Sequence, residues 1–292
     1  LTWNWLGVLP FFIFIFAFLL LPATSIVRGA LFDDHNRFTL EYMHNIFYDP
    51  IDFPTAPDLY LKPYVSTIEI SIVTAAAGGL IGFLLAWSIT VGGLTGVVRS
   101  GVLSFSGVAS NFAGLPLAFA LAATLGRTSL VTKVLSSFGI DLYPSFSIYS
   151  IVGICLAYTY FQIPFMVLIM TPALDGLRQE WREAADNLGA TKLQYWRLVA
   201  IPILLPSLLS AMALLFANAF GAYATAAILV GGGTGGNLIL SLRVAGQFST
   251  DSFSNPHQGY ALALGMIIVV GVTIVIYTYS RQRAERWRPS GT

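Results

Sequence analysis

The chain has 292 residues, of which 56% are hydrophobic and only 10% charged, with a mean hydropathy of +0.74 and a formal charge of +1. Soluble domains carry about 25% charged residues, so an ordinary soluble enzyme is excluded and no nucleic-acid partner is expected. Cys155 is the only cysteine, which rules out an intrachain disulfide and a cysteine cluster for metal.

A helix needs about 20 apolar residues to cross the hydrocarbon core. Six segments qualify: 5–27, 65–91, 101–125, 148–171, 203–230 and 259–280. The first has no charged residue before Arg28 and is followed by further spans. It therefore reads as a retained helix and not as a cleaved signal, which would have a basic start and a soluble chain behind it. The chain begins with Leu1, so native residues are expected to precede it. Segment 28–63 is acidic and aromatic, with Pro50, Pro54, Pro57 and Pro63 as punctuation, and reads as a short irregular cap. In the fifth region, uncharged sequence outlasts one crossing until GGGTGG at 231–236 breaks it. Residues 203–230 are then expected to span, with 238–247 lying at the surface or re-entering.

Basic residues flanking the spans set the orientation. One set of loops holds Arg99, Arg178, Arg182, Lys192, Arg197 and the tail Arg281, Arg283, Arg286 and Arg288. The other holds Arg28, Arg37, Lys62, Arg127, Lys133 and Arg243, together with most of the acids. Both termini are then expected in the cytoplasm. His35, His44 and His257 are too scattered to point to a metal site, and none is expected.

The loop between the fourth and fifth spans reads ALDGLRQEWREAADNLGATKLQYWRLVAIP. Asp175 is expected to cap a short helix to about Leu188, with Leu177, Trp181, Ala184, Ala185 and Leu188 at helical spacing. Gly189 stands where that helix should stop, because glycine takes the left-handed C′ conformation without steric cost. Thr191 can cap a second short helix carrying Leu193, Trp196, Leu198 and Val199, and Pro202 marks the start of the next span. On these residues alone the pair could merely reconnect two spans at the membrane surface.

The string itself resembles a known signature. Membrane subunits of type I ABC importers carry E-A-A, three residues, G, nine residues, I-x-L-P in a cytoplasmic loop. Glu183-Ala184-Ala185 is followed by Gly189 at that spacing, and Val199-Ala200-Ile201-Pro202 falls where I-x-L-P should be, with apolar changes at two positions. The strings GLPLAFALAATLGRTSLVTKVL (114–135) and ILVGGGTGGNLILSLRVAGQF (228–248) resemble family members that import polyamines, aminoethylphosphonate or ferric iron.

The resemblance implies an all-α polytopic bundle of six transmembrane helices with a cytoplasmic coupling helix, in the bacterial inner membrane. Its organisation would be a first helix and outer loop (1–63), a permease core (64–281) with the signature loop at 175–202, and a basic tail (282–292). It implies that Glu183, Ala184 and Ala185 meet a cytoplasmic ATPase dimer, with Gly189 making the bend and Arg182 beside it at the ATPase rim or the headgroups. No Walker A string G-x-x-x-x-G-K-[ST] occurs in the chain. ATP and its magnesium would thus be bound by the partner, and this chain would not itself be an enzyme. Further partners implied are membrane lipid, an extracytoplasmic binding protein and a second permease chain, related in preference to identical. Polyamine is the expected cargo.

Polar residues within the spans are the candidates for the solute path: Glu69, Asn111, Tyr158, Gln162 and Asn218, with Tyr160 and Phe161 as further aromatics. Glu69 reads equally as a contact to a cationic solute and as a helix-end residue. The amides read as path residues or as hydrogen bonds between helices. The competing function is a secondary transporter driven by an ion gradient. Such proteins place ionisable groups near the membrane midplane, and this chain has almost none there.

Overall fold

Backbone N–H and C=O groups in hydrocarbon have no water to bond, so a chain this apolar has to satisfy them within its own helices. A computed structural model describes residues 8–47, 57–92, 95–143, 145–231, 234–249 and 255–285. Among them the extended pairing is confined to one bridge between Phe32 and Phe38. The tail beyond Glu285, residues 48–56 with their acids and prolines, Asp251, and Gly232-Gly233 of the glycine run lie outside the described residues.

The helices are α1 (Leu9–Leu31), α2 (Glu41–His44), α3 (Pro57–Val91), α4 (Gly96–Asn111), α5 (Leu115–Leu125), α6 (Leu130–Ser137), α7 (Ile151–Asp175), α8 (Gln179–Asn187), α9 (Lys192–Phe220), α10 (Ala224–Val230), α11 (Leu240–Gly246) and α12 (Pro256–Glu285). Six stretches are long and apolar enough to cross a membrane: Leu9–Leu31, Leu59–Val91, Leu115–Ser137, Ile151–Asp175, Lys192–Phe220 and Pro256–Tyr279.

Two expected spans are corrected. Residues 101–125 are not one helix: the chain breaks between α4 and α5, where Gly114 takes φ +68°, a conformation closed to most L-residues. Pro116 then occupies the first turn of α5, where a missing N–H costs nothing. At 16 residues α4 is itself short of a crossing. Residues 203–230 are likewise divided, because α9 ends at Phe220 and α10 restarts at Ala224. α10 ends at Val230, where the glycine run begins, and 238–247 forms no span: Ile239, Leu240 and Ser241 are buried in and beside α11.

The chain divides into two compact units. The smaller comprises residues 1–66 and 237–269, the larger 67–236 and 270–292. The expected irregular cap over 28–63 is met only in part: residues 57–63, with Pro57 and Pro63, belong to the long helix α3, and the irregular stretch described in the smaller unit is 32–47 around the short helix α2. It is tied down by His257, whose two ring nitrogens lie 2.9 Å from Gly29 O and from Asp34 Oδ1 while its ring stacks on Tyr42. Tyr64 of α3 donates its hydroxyl to Leu262 O at 2.6 Å.

In the larger unit α7 is the central helix, packed against α4, α9 and α10. Ala75, Ala86, Met166, Met170, Leu174, Leu204, Ala211 and Leu215 form one buried cluster. Small residues let α3 lie close: a Cβ at Gly78 would come 2.6 Å from Gln162 Cβ, and one at Gly82 would come 2.5 Å from Ile163 O. Gly78 and Gly82 are a G-x-x-x-G pair, the spacing that lets membrane helices meet backbone to backbone. Gly82→Val is expected to push α3 off α7 and cost on the order of 1–3 kcal/mol, seen as a lower thermal unfolding midpoint in detergent. Gly101→Ala, whose Cβ meets nothing within 4 Å, should leave that midpoint unchanged.

Candidate functional site

The loop singled out by the sequence is a helix, an elbow and a second helix. Asp175 does not cap the first of these, contrary to expectation. α7 continues to Asp175 itself, whose carboxylate pairs with Arg99 at 2.5 Å. The short helix α8 begins after Arg178, with no side chain bonding its free N–H groups and with Glu180 in its first turn, where an acid suits the helix dipole.

α8 ends as a Schellman turn. Gly189 N–H bonds Asp186 O and Ala190 N–H bonds Ala185 O, both at 3.0 Å, with Gly189 at φ +72°. Nothing lies within 4 Å of where its Cβ would be, so the backbone angle, not crowding, calls for glycine. Thr191 then caps α9 reciprocally. Gln194 N–H donates to Thr191 Oγ1 and Thr191 N–H donates to Gln194 Oε1. Thr191 is the cap expected from the sequence, and Gln194 completes it at the T-x-x-Q spacing of a capping box. The second helix is not separate from the span. It runs through a π turn at Trp196–Ala200 straight into the membrane segment, so Pro202 lies inside a continuous helix.

One face of this hairpin is internal and the other is bare. Ala185, Tyr195 and Ala200 are buried together, with Leu177, Trp181, Ala190, Trp196 and Val199 against them. Trp196 also meets Trp87 edge to face at 5.8 Å, which fastens the hairpin to α3. Arg182, Glu183, Ala184 and Gly189 are exposed. Leu188, Leu193 and Leu198, which helical spacing sets on the apolar sides of these two helices, are 88%, 77% and 71% exposed. Glu183 accepts a hydrogen bond from Gln179 Nε2 at 2.8 Å, one turn away, so its carboxylate is held on the outer surface. Beside α8 opens a cavity of about 880 Å³, walled by Trp87, Asp175, Arg178, Arg182, Glu183 and Tyr195.

The five path candidates do not converge. Tyr158 and Gln162 share a buried face of α7, 1% and 0% exposed. The Tyr158 hydroxyl donates to Ala222 O at 3.2 Å, and Gln162 Nε2 donates to Thr74 Oγ1 at 3.1 Å. Gln162 Oε1 is buried without a partner among the described residues. Phe161 is buried beside Tyr158, their rings 5.6 Å apart, whereas Tyr160 is 37% exposed. Glu69, Asn111 and Asn218 are all exposed, and Asn111 donates back to Gly107 O in its own helix.

The family described as binding-protein-dependent transport system inner membrane component matches residues 7–286. The chain belongs to this family. Among its relatives, the sulfate transport system permease protein CysT of Salmonella typhimurium is 31% identical over 184 residues, 62% of each chain. The protein of the same name from Escherichia coli is 30% identical over 172 residues, 58% of each chain. The matched stretches thus cover about three fifths of the relatives' own length. These relatives are named for sulfate, so the expected kinship with polyamine, aminoethylphosphonate or ferric-iron permeases finds no support. Among solved structures, a bacterial ABC transporter for import of the acidic polysaccharide alginate superposes with a TM-score of 0.66 at 16% identity, over 97% of this chain and 95% of that one. A chain of the inward-facing MetNI methionine ABC transporter gives 0.56 at 17% identity, over 80% of this chain and 99% of that one. At these identities they establish a shared type I importer permease fold.

Thr191→Ala is expected to remove the bond from Gln194 N–H to Thr191 Oγ1, leaving the backbone N–H of residue 191 to Gln194 Oε1, and to cost about 1 kcal/mol of local stability. Hydrogen exchange at Leu193, Gln194 and Tyr195 should accelerate several-fold, while exchange in α7 should not change.

Proposed function

We propose that this chain is the permease subunit of an ATP-driven importer and that its cargo is a small oxyanion of the sulfate kind. The observation that carries the first part is the hairpin of α8 and α9. Its inner face is locked by the buried cluster of Ala185, Tyr195 and Ala200, and its bend is fixed by local hydrogen bonds. Its outer face offers Glu183, Ala184 and an almost fully exposed Leu188. A rigid, partly apolar helix end with a carboxylate at its side suits insertion into a cleft of another protein. In this reading the partner is a cytoplasmic ATPase dimer, which binds ATP and magnesium. Ala184 lets the two surfaces approach, and Glu183 exchanges its bond from Gln179 for a cation of the ATPase.

Force applied to α8 would reach the membrane along two routes, through the π turn into α9 and through Trp196 into Trp87 of α3. Rigid-body movement of packed helices between two arrangements is the established way such force becomes alternating access. A second permease chain completes the path, an extracytoplasmic binding protein delivers the solute, and both termini lie in the cytoplasm. The cargo class is supported by the names of the curated relatives. An ion-gradient mechanism finds no supporting observation, since Glu69 is exposed and the buried polar side chains of the larger unit include no acid or base among the described residues.

Reconstituted with its ATPase, partner permease and binding protein, the complex is expected to accumulate radiolabelled sulfate in vesicles only when ATP is present. Uptake driven by a proton or sodium gradient without ATP would refute the importer reading. Accumulation of spermidine in place of sulfate would refute the cargo alone. Glu183→Arg should lower ATPase co-purification and uptake by at least about tenfold, the loss of a charge-assisted contact, with the thermal unfolding of the permease unchanged.

A further inference from the structure

Among the described residues of the smaller unit Arg243 forms no ion pair, as is true of Arg28, Arg37 and Lys62, and what sets it apart is a buried side-chain nitrogen without a partner. It lies on α11, where Leu240 and Ser241 are buried, and its backbone N–H makes an ordinary helical bond to Ile239 O. Its guanidinium carbon sits 5.5 Å from the centre of the Tyr60 ring. Nε is buried and has no hydrogen-bond partner among the described residues.

Other polar groups of the smaller unit do find partners. In the same unit Gln247 Oε1 accepts from Asn255 N–H, Gln258 Nε2 donates to Tyr42 O, and Arg28 donates to Asn36 Oδ1. The described carboxylates are engaged elsewhere or form no ion pair with Arg243. Asp33 accepts the backbone N–H groups of His35 and Arg37, and Asp34 faces His257. A buried donor left unmet costs free energy that a bound acceptor would recover. Guanidinium cannot shed its proton to escape that cost, so the occupant has to bring acceptor oxygens and negative charge. A planar guanidinium presents parallel N–H groups that match two oxygens of a tetrahedral oxyanion. The Tyr60 face fixes the plane of that fork while supplying no oxygen of its own to Nε.

We propose that Arg243 receives the cargo as a tetrahedral oxyanion, with Tyr60 holding the guanidinium ready for two-point bonding. The proposal rests on the oxyanion-importer reading above and assigns that cargo a specific contact. Sulfate in solution and the phosphate of a lipid headgroup share this chemistry, and the experiment separates them. The chain is labelled at arginine with phenylglyoxal, and modification of Arg243 is followed by mass spectrometry. In phosphate-free maltoside micelles, millimolar sodium sulfate is expected to protect Arg243, whereas sodium chloride at equal ionic strength is not. Protection by phosphatidylglycerol nanodiscs with none from sulfate would give the residue to a headgroup and overturn its role with cargo. Protection in neither medium would overturn the site.

In the reconstituted complex, Arg243→Gln is expected to lower sulfate imported per ATP hydrolysed by about tenfold, the weight of one charge-assisted pair. Arg243→Lys should recover part of that loss, which a purely structural role would not allow. Wild-type sulfate uptake with an unaltered ratio in Arg243→Gln overturns the Arg243 assignment and leaves the importer reading standing. Wild-type uptake of cations or neutral solutes alone overturns the cargo reading and this assignment together.

Discussion

The larger unit depends on how closely α3 and α7 approach. Gly78 and Gly82 strip one surface of α3 to its backbone, and Gln162, Ile163 and Met166 of α7 fill the space a side chain would take. In hydrocarbon there is no gain from hiding apolar surface, so helices are held by fitted contact and the few hydrogen bonds they exchange. The bond from Gln162 to Thr74 Oγ1 joins the two helices at that same point. α7 then carries the register set there to Asp175, where Arg99 of α4 meets it. The position of the α8 hairpin is in this sense inherited from contacts made in the middle of the bundle.

What the sequence disclosed was what is local. The stop at Gly189 and the cap at Thr191 are written within a few residues, because a Schellman turn and a capping box use only near neighbours. Six apolar stretches were equally plain, since crossing a membrane is a matter of length and composition. The breaks at Gly114 and Gly221 were not legible. Hydropathy does not register a change of backbone direction, and both lie within unbroken apolar sequence.

The site was half legible for the same reason. Glu183, Ala184 and Gly189 are recognised by their spacing, and all three are exposed. The contacts that make the hairpin rigid could not be read, because Trp87 and Trp196 are far apart in the chain. Asp175 ends α7 and pairs with Arg99 in place of the capping role its residue type suggests. The polar residues of the spans looked alike on paper. The fold separates Tyr158 and Gln162, which are buried and bonded between segments, from Glu69, Asn111 and Asn218, which face outward.

The bare leucine at the elbow has a consequence for the life of the subunit. Leu188 leaves 88% of its surface uncovered, next to water-facing charges and with no packing contact that would justify it in a solitary molecule. A copy that never finds its mate keeps that side chain on display, together with Leu193. Such exposed apolar surface is what quality-control proteases and chaperones bind. In the importer reading, the hairpin proposed to dock the chain in its complex would also mark an unassembled copy for disposal, tying its abundance to that of the partner that covers it.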